Sequence, residues 1–295
     1  MERPRRLRGF LVGLGLVAGI TALDALLVTW ITRRPVDLLT FVLGLLVILS
    51  LPALVLMGYW LYSLAGMRYT LERNGLVITC GAARQIIPMN SIQQVIAGAG
   101  HTLEGRMRGV RWPGYWLGNG RLTGLGLTLF YATAPLDEQL LVVTPTLTYA
   151  ISPADVEAFT RAFEARRQLG PLKQWSQESR QARFATWPVW SDRVGHVLLG
   201  LGLLLSAWLF AHLCWRYPTL PSMVPLHFDA AGAVDRSGAR GNLFVLPLIG
   251  LLVWAGNGAL GLLLRAREGV AAYLLWSGTL FVQVLLIVAM LTLLH

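Results

Sequence analysis

Charged residues are scarce in this sequence. Only 14% of its 295 residues are charged and 55% are hydrophobic, whereas soluble globular chains carry about 25% charged residues. The mean hydropathy is +0.57. These values exclude an ordinary soluble protein and predict an integral membrane protein whose first partner is the lipid bilayer. The length allows a soluble domain of about 100 residues in addition to several membrane spans.

Lysine is almost absent, although the sequence is basic. Lys173 is the only lysine, so the net charge of +10 comes almost entirely from arginine. A basic chain can bind nucleic acid. Arginines that flank long apolar runs are better explained as charges that orient a membrane protein. We therefore expect no nucleic-acid partner.

Cysteine is scarce as well, and no catalytic pattern accompanies it. Cys80 lies in a predicted strand and Cys214 near the end of an apolar run. The topology derived below places them in different compartments, so we expect no disulfide and interpret both as small apolar fillers. Metal-type cysteine spacing is missing, as are a phosphate loop, a serine triad and a histidine-cysteine cluster. The sequence predicts no enzyme, no bound metal and no cofactor.

Long apolar runs are the strongest feature present. A run of about 20 residues can cross the hydrocarbon core of a bilayer, and five such runs occur, at about 9–32, 38–63, 194–215, 242–264 and 270–294. The first follows a cluster of arginines, as in a signal peptide. It is too long for one and lacks a clean cleavage site, so we interpret it as a retained span.

The runs divide the sequence into four predicted parts. Two transmembrane helices occupy 1–66, and a soluble domain occupies 67–170. A linker or interfacial helix follows at 171–192. Three transmembrane helices occupy 193–295, with a proline-rich polar loop at 216–241.

Arginine placement predicts the orientation. The segment 64–193 has 14 basic and 9 acidic residues, which favours the cytoplasmic side for it and for the N-terminus. Against this orientation stand the arginines that it places outside, namely Arg33, Arg34, Arg216, Arg236 and Arg240.

The soluble segment reads as short strands followed by one helix. Asn74-Gly75 lies between two β-like runs, a strong hairpin signal because both residues tolerate positive φ. Further strands are predicted at 85–87, 92–96, 125–132, 139–143 and 147–151. A helix then begins with Ser152 as its cap and Asp155 as a capping-box acid, and it presents the apolar face Val156, Phe159 and Phe163. This order predicts a small barrel or sandwich plugged by the helix.

Ordered sequence blocks in this segment resemble a known family. They are Tyr69-Thr-Leu-Glu-Arg-Asn-Gly75-Leu-Val-Ile, Ile86-Ile-Pro88, Ile92-Gln-Gln-Val95, Trp112-Pro-Gly-Tyr-Trp116 and Tyr149-Ala-Ile-Ser-Pro-Ala-Asp155-Val-Glu-Ala-Phe159. Over about 68–167 they are similar to bacterial pleckstrin-homology-like (PH-like) domains. That resemblance implies a bent seven-strand barrel capped by a C-terminal helix and does not imply an enzyme. The fold class expected is therefore an α+β membrane protein, about five transmembrane helices with an inserted PH-like barrel.

The polar loop resembles a second family. Tyr217-Pro218-x-Leu220-Pro221, Pro225-x-His227-Phe228, Gly232 and Asp235-Arg236 are similar to a bacterial membrane domain of unknown function. That domain also begins the immunity and signalling proteins of the sporulation-delay toxin system. Only about 195–294 matches, and the further spans of those immunity proteins are missing, which counts against an immunity role. Together the two resemblances imply a multi-pass protein of the bacterial inner membrane.

The same loop holds the best candidate site in the sequence. Its members are Pro218, Pro221, Pro225, His227, Phe228, Asp229, Gly232, Asp235 and Arg236. Functionally, the histidine and the acids could bind a ligand, a partner or a cation, or sense pH, since histidine titrates near neutrality. One histidine with carboxylates is a poor zinc set. Alternatively, the prolines stiffen a cap whose polar groups satisfy each other, with a turn at Asp229 to Gly232 and a local Asp235-Arg236 ion pair.

Two further groups of residues are candidates. Asp24, Asn257 and Gln283 are polar residues inside predicted spans, which either form a proton or ion path or, as we favour, hydrogen-bond between helices. Between predicted strands lies a basic and aromatic patch of Arg106, Arg108, Arg111, Trp112 and Trp116. It is interpreted as lying against the bilayer, with lipid headgroups or a protein partner as alternatives.

These observations favour a non-enzymatic scaffold, sensor or accessory subunit. Its cytoplasmic PH-like domain would bind a protein partner or a second copy, and its exterior loop would contact a ligand or another subunit. The alternative is a small transporter or ion-linked channel that uses the polar residues inside the spans. A membrane hydrolase centred on His227 and Asp235 is a third possibility, for which the sequence offers no nucleophile.

Overall fold

A computed structural model describes residues 3–173, 175–180, 192–229, 232–265 and 267–294. The chain forms two compact units. The first comprises residues 1–23 with 50–183, and the second comprises 24–49 with 184–295. Most of the linker or interfacial helix predicted at 171–192 lies outside the described residues. Within its described part, Glu178–Arg180 form a strand.

Five of the described helices are long and apolar enough to cross a membrane. They are α1 (Leu7–Ile31), α2 (Leu38–Gly66), α4 (Arg193–Arg216), α5 (Val245–Leu264) and α6 (Gly269–Leu294). A shorter amphipathic helix, α3 (Val156–Leu169), precedes α4. The chain is thus a multi-pass α+β membrane protein with its β domain between α2 and α4 in sequence, which confirms the predicted fold class.

Two sheets form the β domain. In the first, the strand order is β1 (Arg68–Glu72), β2 (Gly75–Cys80), β3 (Ala83–Pro88) and β10 (Glu178–Arg180). In the second, the order is β4 (Gln94–Ala97), β8 (Leu140–Val143), β9 (Thr148–Ile151), β7 (Gly126–Ala132), β6 (Tyr115–Leu122) and β5 (Leu103–Trp112). The β7 and β9 strands are parallel, and the other neighbours are antiparallel.

The first predicted hairpin exists, but its turn lies one residue earlier than expected. Glu72 pairs with Gly75, so Arg73 and Asn74 form the loop. Gly75 lacks the positive φ on which the prediction rested. It is small because a Cβ there would collide with the carbonyl oxygen of Ile87 on β3.

The β5–β6 hairpin is the largest element that the sequence did not predict. Its strands have ten and eight residues. Glycines hide the alternating pattern, and two of them, Gly109 and Gly118, face each other across the pair. A Cβ on either would collide with the opposite backbone, at φ of 138° and 150°. The seven strands implied by the resemblance therefore become two sheets of four and six within the described residues.

The core of the β domain contains several buried tyrosines and the apolar face of α3. The Tyr69 hydroxyl donates to the carbonyl of Tyr131 and accepts from the N–H of Ser152. Phe159 and Phe163 of α3 are buried, as predicted, whereas Val156 is exposed. The helix cap also differs from the prediction. Asp155 accepts from the N–H of Ala158 and caps α3, while Ser152 instead accepts from the N–H of Thr133.

The second unit is built around α4, α5 and α6 and an antiparallel hairpin between α4 and α5. Its strands are β11 (Met223–Phe228) and β12 (Val234–Ala239). Large side chains of one helix pack against glycines of another. Trp276 of α6 lies against Gly261 of α5, and Trp254 of α5 lies against Gly202 of α4. Glycine at these positions permits a close helix approach.

Candidate functional site

The predicted polar loop at 216–241 is a folded β-hairpin. Short 3-10 turns at Tyr217–Thr219 and Arg240–Phe244 connect it to α4 and α5. Pro218 lies in the first turn, and Pro225 lies on β11 opposite Ser237. Pro221 precedes the strand. The described backbone thus has a defined strand conformation in a segment that the sequence predicted to be a proline-rich polar loop.

Arg240 fixes the base of the hairpin. Its guanidinium donates to the carbonyl oxygens of Leu220 (3.2 Å) and Tyr217 (3.4 Å) and lies 4.6 Å from the centre of the Tyr217 ring. The Tyr217 ring in turn contacts Phe244, with ring centroids 5.4 Å apart. From the sequence, Arg240 was predicted only to be a charge on the exterior side. Its role depends on contacts about twenty residues away, which spacing alone does not reveal.

His227 and Asp235 form an ion pair across the two strands when the histidine is protonated. Nδ1 of His227 lies 2.7 Å from Oδ1 of Asp235. The register in which Pro225 faces Ser237 and Phe228 faces Val234 sets His227 and Asp235 at opposing positions, and the local irregularity that pairs His227 with Arg236 does not separate the two side chains. Both stay open to solvent, with exposed side-chain fractions of 65% and 47%. The predicted pairing of Asp235 with Arg236 is replaced by this cross-strand contact.

Asp229 and Gly232 form the turn, as expected. The Asp229 carboxylate accepts from the N–H of Ala233 at 2.8 Å, and the Gly232 N–H donates to the Asp229 carbonyl at 3.0 Å. Gly232 has φ of 81°, a conformation that favours glycine. Phe228 pairs with Val234 at the end of the strands. These residues shape the tip, and the histidine–aspartate pair lies below them.

A cleft of about 640 Å³ opens beside the ion pair. Its polar lining consists of His227, Asp235, Arg236 and Asn242. Leucines and a valine from the hairpin, α5 and the end of α6 complete it. A cation, an anion and a neutral amide thus meet over an apolar floor, a combination suited to orienting a small polar ligand or an anchoring side chain.

Two kinds of reactive group bear on metal binding and nucleophilic chemistry in the described ranges, clustered metal ligands and cysteine thiols. There, no group of three or more histidine, cysteine, aspartate or glutamate side chains could hold a metal ion. Cys80 is buried, and burial raises the pKa of its thiol to about 11. A protonated, enclosed thiol is a poor nucleophile. The other cysteine, Cys214, is buried too.

The polar residues inside the spans bond different partners. The Gln283 amide donates to Ser206 Oγ (2.6 Å) and to the carbonyl of Gly250 (2.8 Å). The Asn257 amide donates to Thr279 Oγ1 (3.0 Å). These bonds connect α6 to α4 and α5, and Gln283 is fully buried. Asp24 lies on α1 and is half-buried. The interpretation as helix-to-helix hydrogen bonds therefore fits both amides.

The basic and aromatic patch is not a loop, and its members separate. Arg106, Arg108 and Arg111 are exposed along β5. Trp116 is only 8% exposed and packs on Phe130. Trp112 is half-buried between neighbouring rings. The sequence suggested one continuous surface, whereas Arg111, Trp112 and Trp116 line one cleft that Arg106 and Arg108 do not border.

A polar cluster that the sequence did not suggest joins the ends of three helices. Asp192 caps α4 by accepting from the N–H of Gly195 at 3.0 Å. Its other donors are Nε of Arg265 (2.6 Å) and the hydroxyl of Tyr273 (2.9 Å). The Gly195 N–H, together with Arg265 and Tyr273, lowers the pKa of Asp192 to about 2. The Asp192 carboxylate raises the pKa of Arg265. In the sequence, the signal for this cap is the position of Asp192 directly before an apolar run.

Two regions of the chain match family models. Residues 67–167 match the bacterial PH domain, and residues 197–251 match a domain of unknown function, DUF1648. An uncharacterized protein of Archaeoglobus fulgidus is 42% identical over 55 residues, which are 19% of this chain and 30% of that protein. The chain thus covers less than a third of that relative's length. No solved structure matches the chain.

The matches confirm both resemblances inferred from the sequence. The first covers the two sheets from β1 to β9 together with most of α3. The second covers most of α4, the hairpin with His227 and Asp235, and the first part of α5. The chain is therefore a membrane protein that combines a bacterial PH domain with a membrane region carrying a domain of unknown function.

Proposed function

We propose that this chain is a non-enzymatic sensor or accessory subunit of a bacterial inner membrane. Its hairpin with His227 and Asp235 recognises a ligand or another subunit outside the cell, and its PH domain binds a protein partner or a second copy in the cytoplasm. The observation that carries the proposal is the exposed His227–Asp235 pair at the edge of a cleft of about 640 Å³.

The use of polar groups supports recognition at the hairpin. Inside the spans, the amides of Asn257 and Gln283 are engaged in hydrogen bonds between helices. On the hairpin, by contrast, His227 and Asp235 remain largely exposed. An exposed pair contributes at most about 1 kcal/mol to stability, so packing alone does not account for these groups. A transporter would need polar groups inside the spans that can bind a solute, and these two amides are already hydrogen-bonded to other helices.

The arginines that the proposed orientation places outside make local contacts. Arg240 donates to two carbonyl oxygens, and Arg216 donates to the carbonyl of Leu294. Arg34 lies over the ring of Trp30. Each of these side chains thus has a structural use at its own position, and the orientation itself rests on the excess of basic residues in the PH-domain segment.

Sidedness is tested by cysteine labelling in intact cells. Arg121→Cys on β6 reports on the PH domain, and Val234→Cys on β12 reports on the hairpin; both positions are exposed. The native cysteines are buried, so the wild type serves as a low-background control. An impermeant maleimide should label only the position on the hairpin. Labelling of both positions, or of position 121 alone, would refute the proposed orientation.

Recognition at the hairpin is tested by photo-cross-linking. A photoreactive amino acid at Val234 should give a discrete adduct in cells, which His227→Ala and Asp235→Asn should each abolish. The same amino acid at Leu285, a largely exposed position on α6, serves as the lipid-facing control and should not give that adduct. An adduct that survives both substitutions would show that the ion pair is not the recognition element.

A further inference from the structure

The end of the β5–β6 hairpin lies against the membrane helices of the first unit. Gly114 in its turn packs directly on the backbone of Arg8 and Gly9, where a Cβ on either glycine would collide. The indole N–H of Trp112 donates to the carbonyl of Gly9 at 3.2 Å. Trp112 also contacts Trp60 near the end of α2, with ring centroids 6.0 Å apart.

These contacts place the tip beside the N-terminal end of α1. The α1 helix has 25 residues, a length of about 37 Å at 1.5 Å per residue, whereas the hydrocarbon core is about 30 Å thick. An untilted α1 therefore extends from the hydrocarbon core into the headgroup region at one end at least. The basic end that starts with Arg3, Arg5 and Arg6 is the one suited to it. Trp60 is of the type found at that level.

Two arginines meet in a cleft at this tip. Arg8 from α1 and Arg111 from β5 line a space of about 340 Å³ together with Trp112, Trp116 and two prolines. Both arginines are exposed, and among the described residues neither has an acidic partner within salt-bridge distance. The Arg111 guanidinium lies 4.0 Å from the centre of the Trp116 ring, which restrains its position.

The neighbouring arginine has a different role. The Arg6 guanidinium donates to the carbonyls of Ala65 and Met67 at the end of α2, and so joins the two helix ends. Arg8 makes no such contact among the described residues. Asp137 and Glu138 line an adjoining cleft that Arg8 also borders, so the charge beside Arg8 is mixed. The cleft with Arg111 contains cations and no acid.

We infer that Arg8 and Arg111 bind the phosphate of a phospholipid headgroup. Guanidinium groups bind phosphate through paired N–H donors, and the rings and prolines of the cleft offer apolar walls for the glycerol and upper acyl carbons. Arg106 and Arg108, which the sequence grouped with Arg111, are excluded from this cleft. The inference is independent of the function proposed for the His227–Asp235 hairpin.

The test measures lipid binding to the delipidated full-length protein in detergent by native mass spectrometry. A phosphatidylglycerol titration should show one saturable lipid on the wild type. Arg8→Gln and Arg111→Gln should each weaken that binding about tenfold, the loss of one charge-assisted contact. The matched control is Arg106→Gln with Arg121→Gln, which removes two exposed charges from the same hairpin away from its tip and should leave binding unchanged.

Further variants distinguish a specific phosphate contact from a general effect of charge and from a loosened hairpin. Arg111→Lys keeps the charge but loses paired donation, so it should bind with intermediate affinity. If Arg111→Gln loosens the hairpin, the lipid affinity of Arg8→Gln carries the test. Arg8 has no stacking partner among the described residues, so its replacement should leave the hairpin intact. Wild-type binding by Arg8→Gln, or an equal loss in the control, would overturn the inference. Inorganic phosphate alone should bind much more weakly; binding as tight as that of the lipid would reassign the cleft to free phosphate.

Discussion

Nε of Arg265 donates to Oδ2 of Asp192 across 2.6 Å and connects the residue after α5 to the residue that caps α4. Tyr273 of α6 donates to the same carboxylate. One acid therefore holds the ends of three membrane helices, and only 6% of its side-chain surface is exposed. A carboxylate with donors from three helix ends acts as a fixed point for the second unit.

Substitution of Asp192 should separate its two contributions. Asp192→Asn can still cap α4 but loses the charge that faces Arg265, whereas Asp192→Ala loses both. We expect both variants to be destabilised, the alanine variant by about 1 kcal/mol more, the usual value of an N-cap. Thermal unfolding in detergent with hydrogen exchange of the first turn of α4 measures this. Asp155→Asn, at an N-cap that has no arginine partner within the described part of the chain, is the control. Wild-type stability of Asp192→Asn would contradict the ion-pair contribution.

Stability should depend on the protonation of Asp192 at acidic pH. Its pKa is lowered to about 2 in the folded protein, and an unperturbed aspartate titrates near about 3.9. The contribution is therefore complete above about pH 4 and is lost as the pH falls through about 2. The melting temperature of the wild type minus that of Asp192→Asn should shrink over this range. A difference that stays constant down to pH 2 would exclude Asp192 as the titrating group.

Gln283 should act in packing and not in transport. Gln283→Leu removes the donor to Ser206 and Gly250, so the helix bundle should lose about 0.6–2 kcal/mol, the range for hydrogen bonds between membrane helices. Unfolding in mixed micelles measures the loss, and Leu285→Ala, at an exposed position on the same helix, controls for general effects on α6. Ion flux into liposomes should be the same for Gln283→Leu and the wild type. A specific flux lost in Gln283→Leu would favour the transporter alternative.

Arg240 should stabilise the base of the hairpin through the shape of its side chain as well as its charge. Lysine cannot reproduce donation to two carbonyls together with stacking on Tyr217. Arg240→Lys should therefore destabilise the hairpin by about 1–2 kcal/mol, seen as faster hydrogen exchange in β11 and β12. Arg236→Lys, at an exposed position on the same hairpin, should exchange like the wild type. Equal effects of the two substitutions would point to charge alone.

The spans and the strands with alternating apolar residues could be read directly from the sequence. Hydropathy and length identify a membrane helix without reference to its neighbours, and the five runs correspond to α1, α2, α4, α5 and α6. The β5–β6 hairpin was missed because four of its residues are glycines at strand positions. Gly109 and Gly118 are explained only by the opposite backbone that they approach.

The candidate site was predicted on a loop, whereas the structure has a β-hairpin there. Proline content suggested a stiff loop at 216–241, and the turn at Asp229 and Gly232 was read correctly. The pairing of His227 with Asp235 depends on the strand register of the hairpin, in which Pro225 faces Ser237 and Phe228 faces Val234. A one-residue shift changes which side chains meet, and no local pattern fixes it.

The sequence alone determined the class of molecule: apolar runs, their spacing and the β-like segment predict a multi-pass protein with an inserted β domain, and the resemblance of its ordered blocks implies that this domain is PH-like. Tertiary structure decided which polar residues act together. It placed Arg8 and Arg111 in one cleft, paired His227 with Asp235 on a hairpin, and paired Asp192 with Arg265 between helix ends. The physical reason is distance: hydropathy is a property of each segment, whereas an ion pair or a phosphate site requires side chains remote in sequence to lie within a few ångströms.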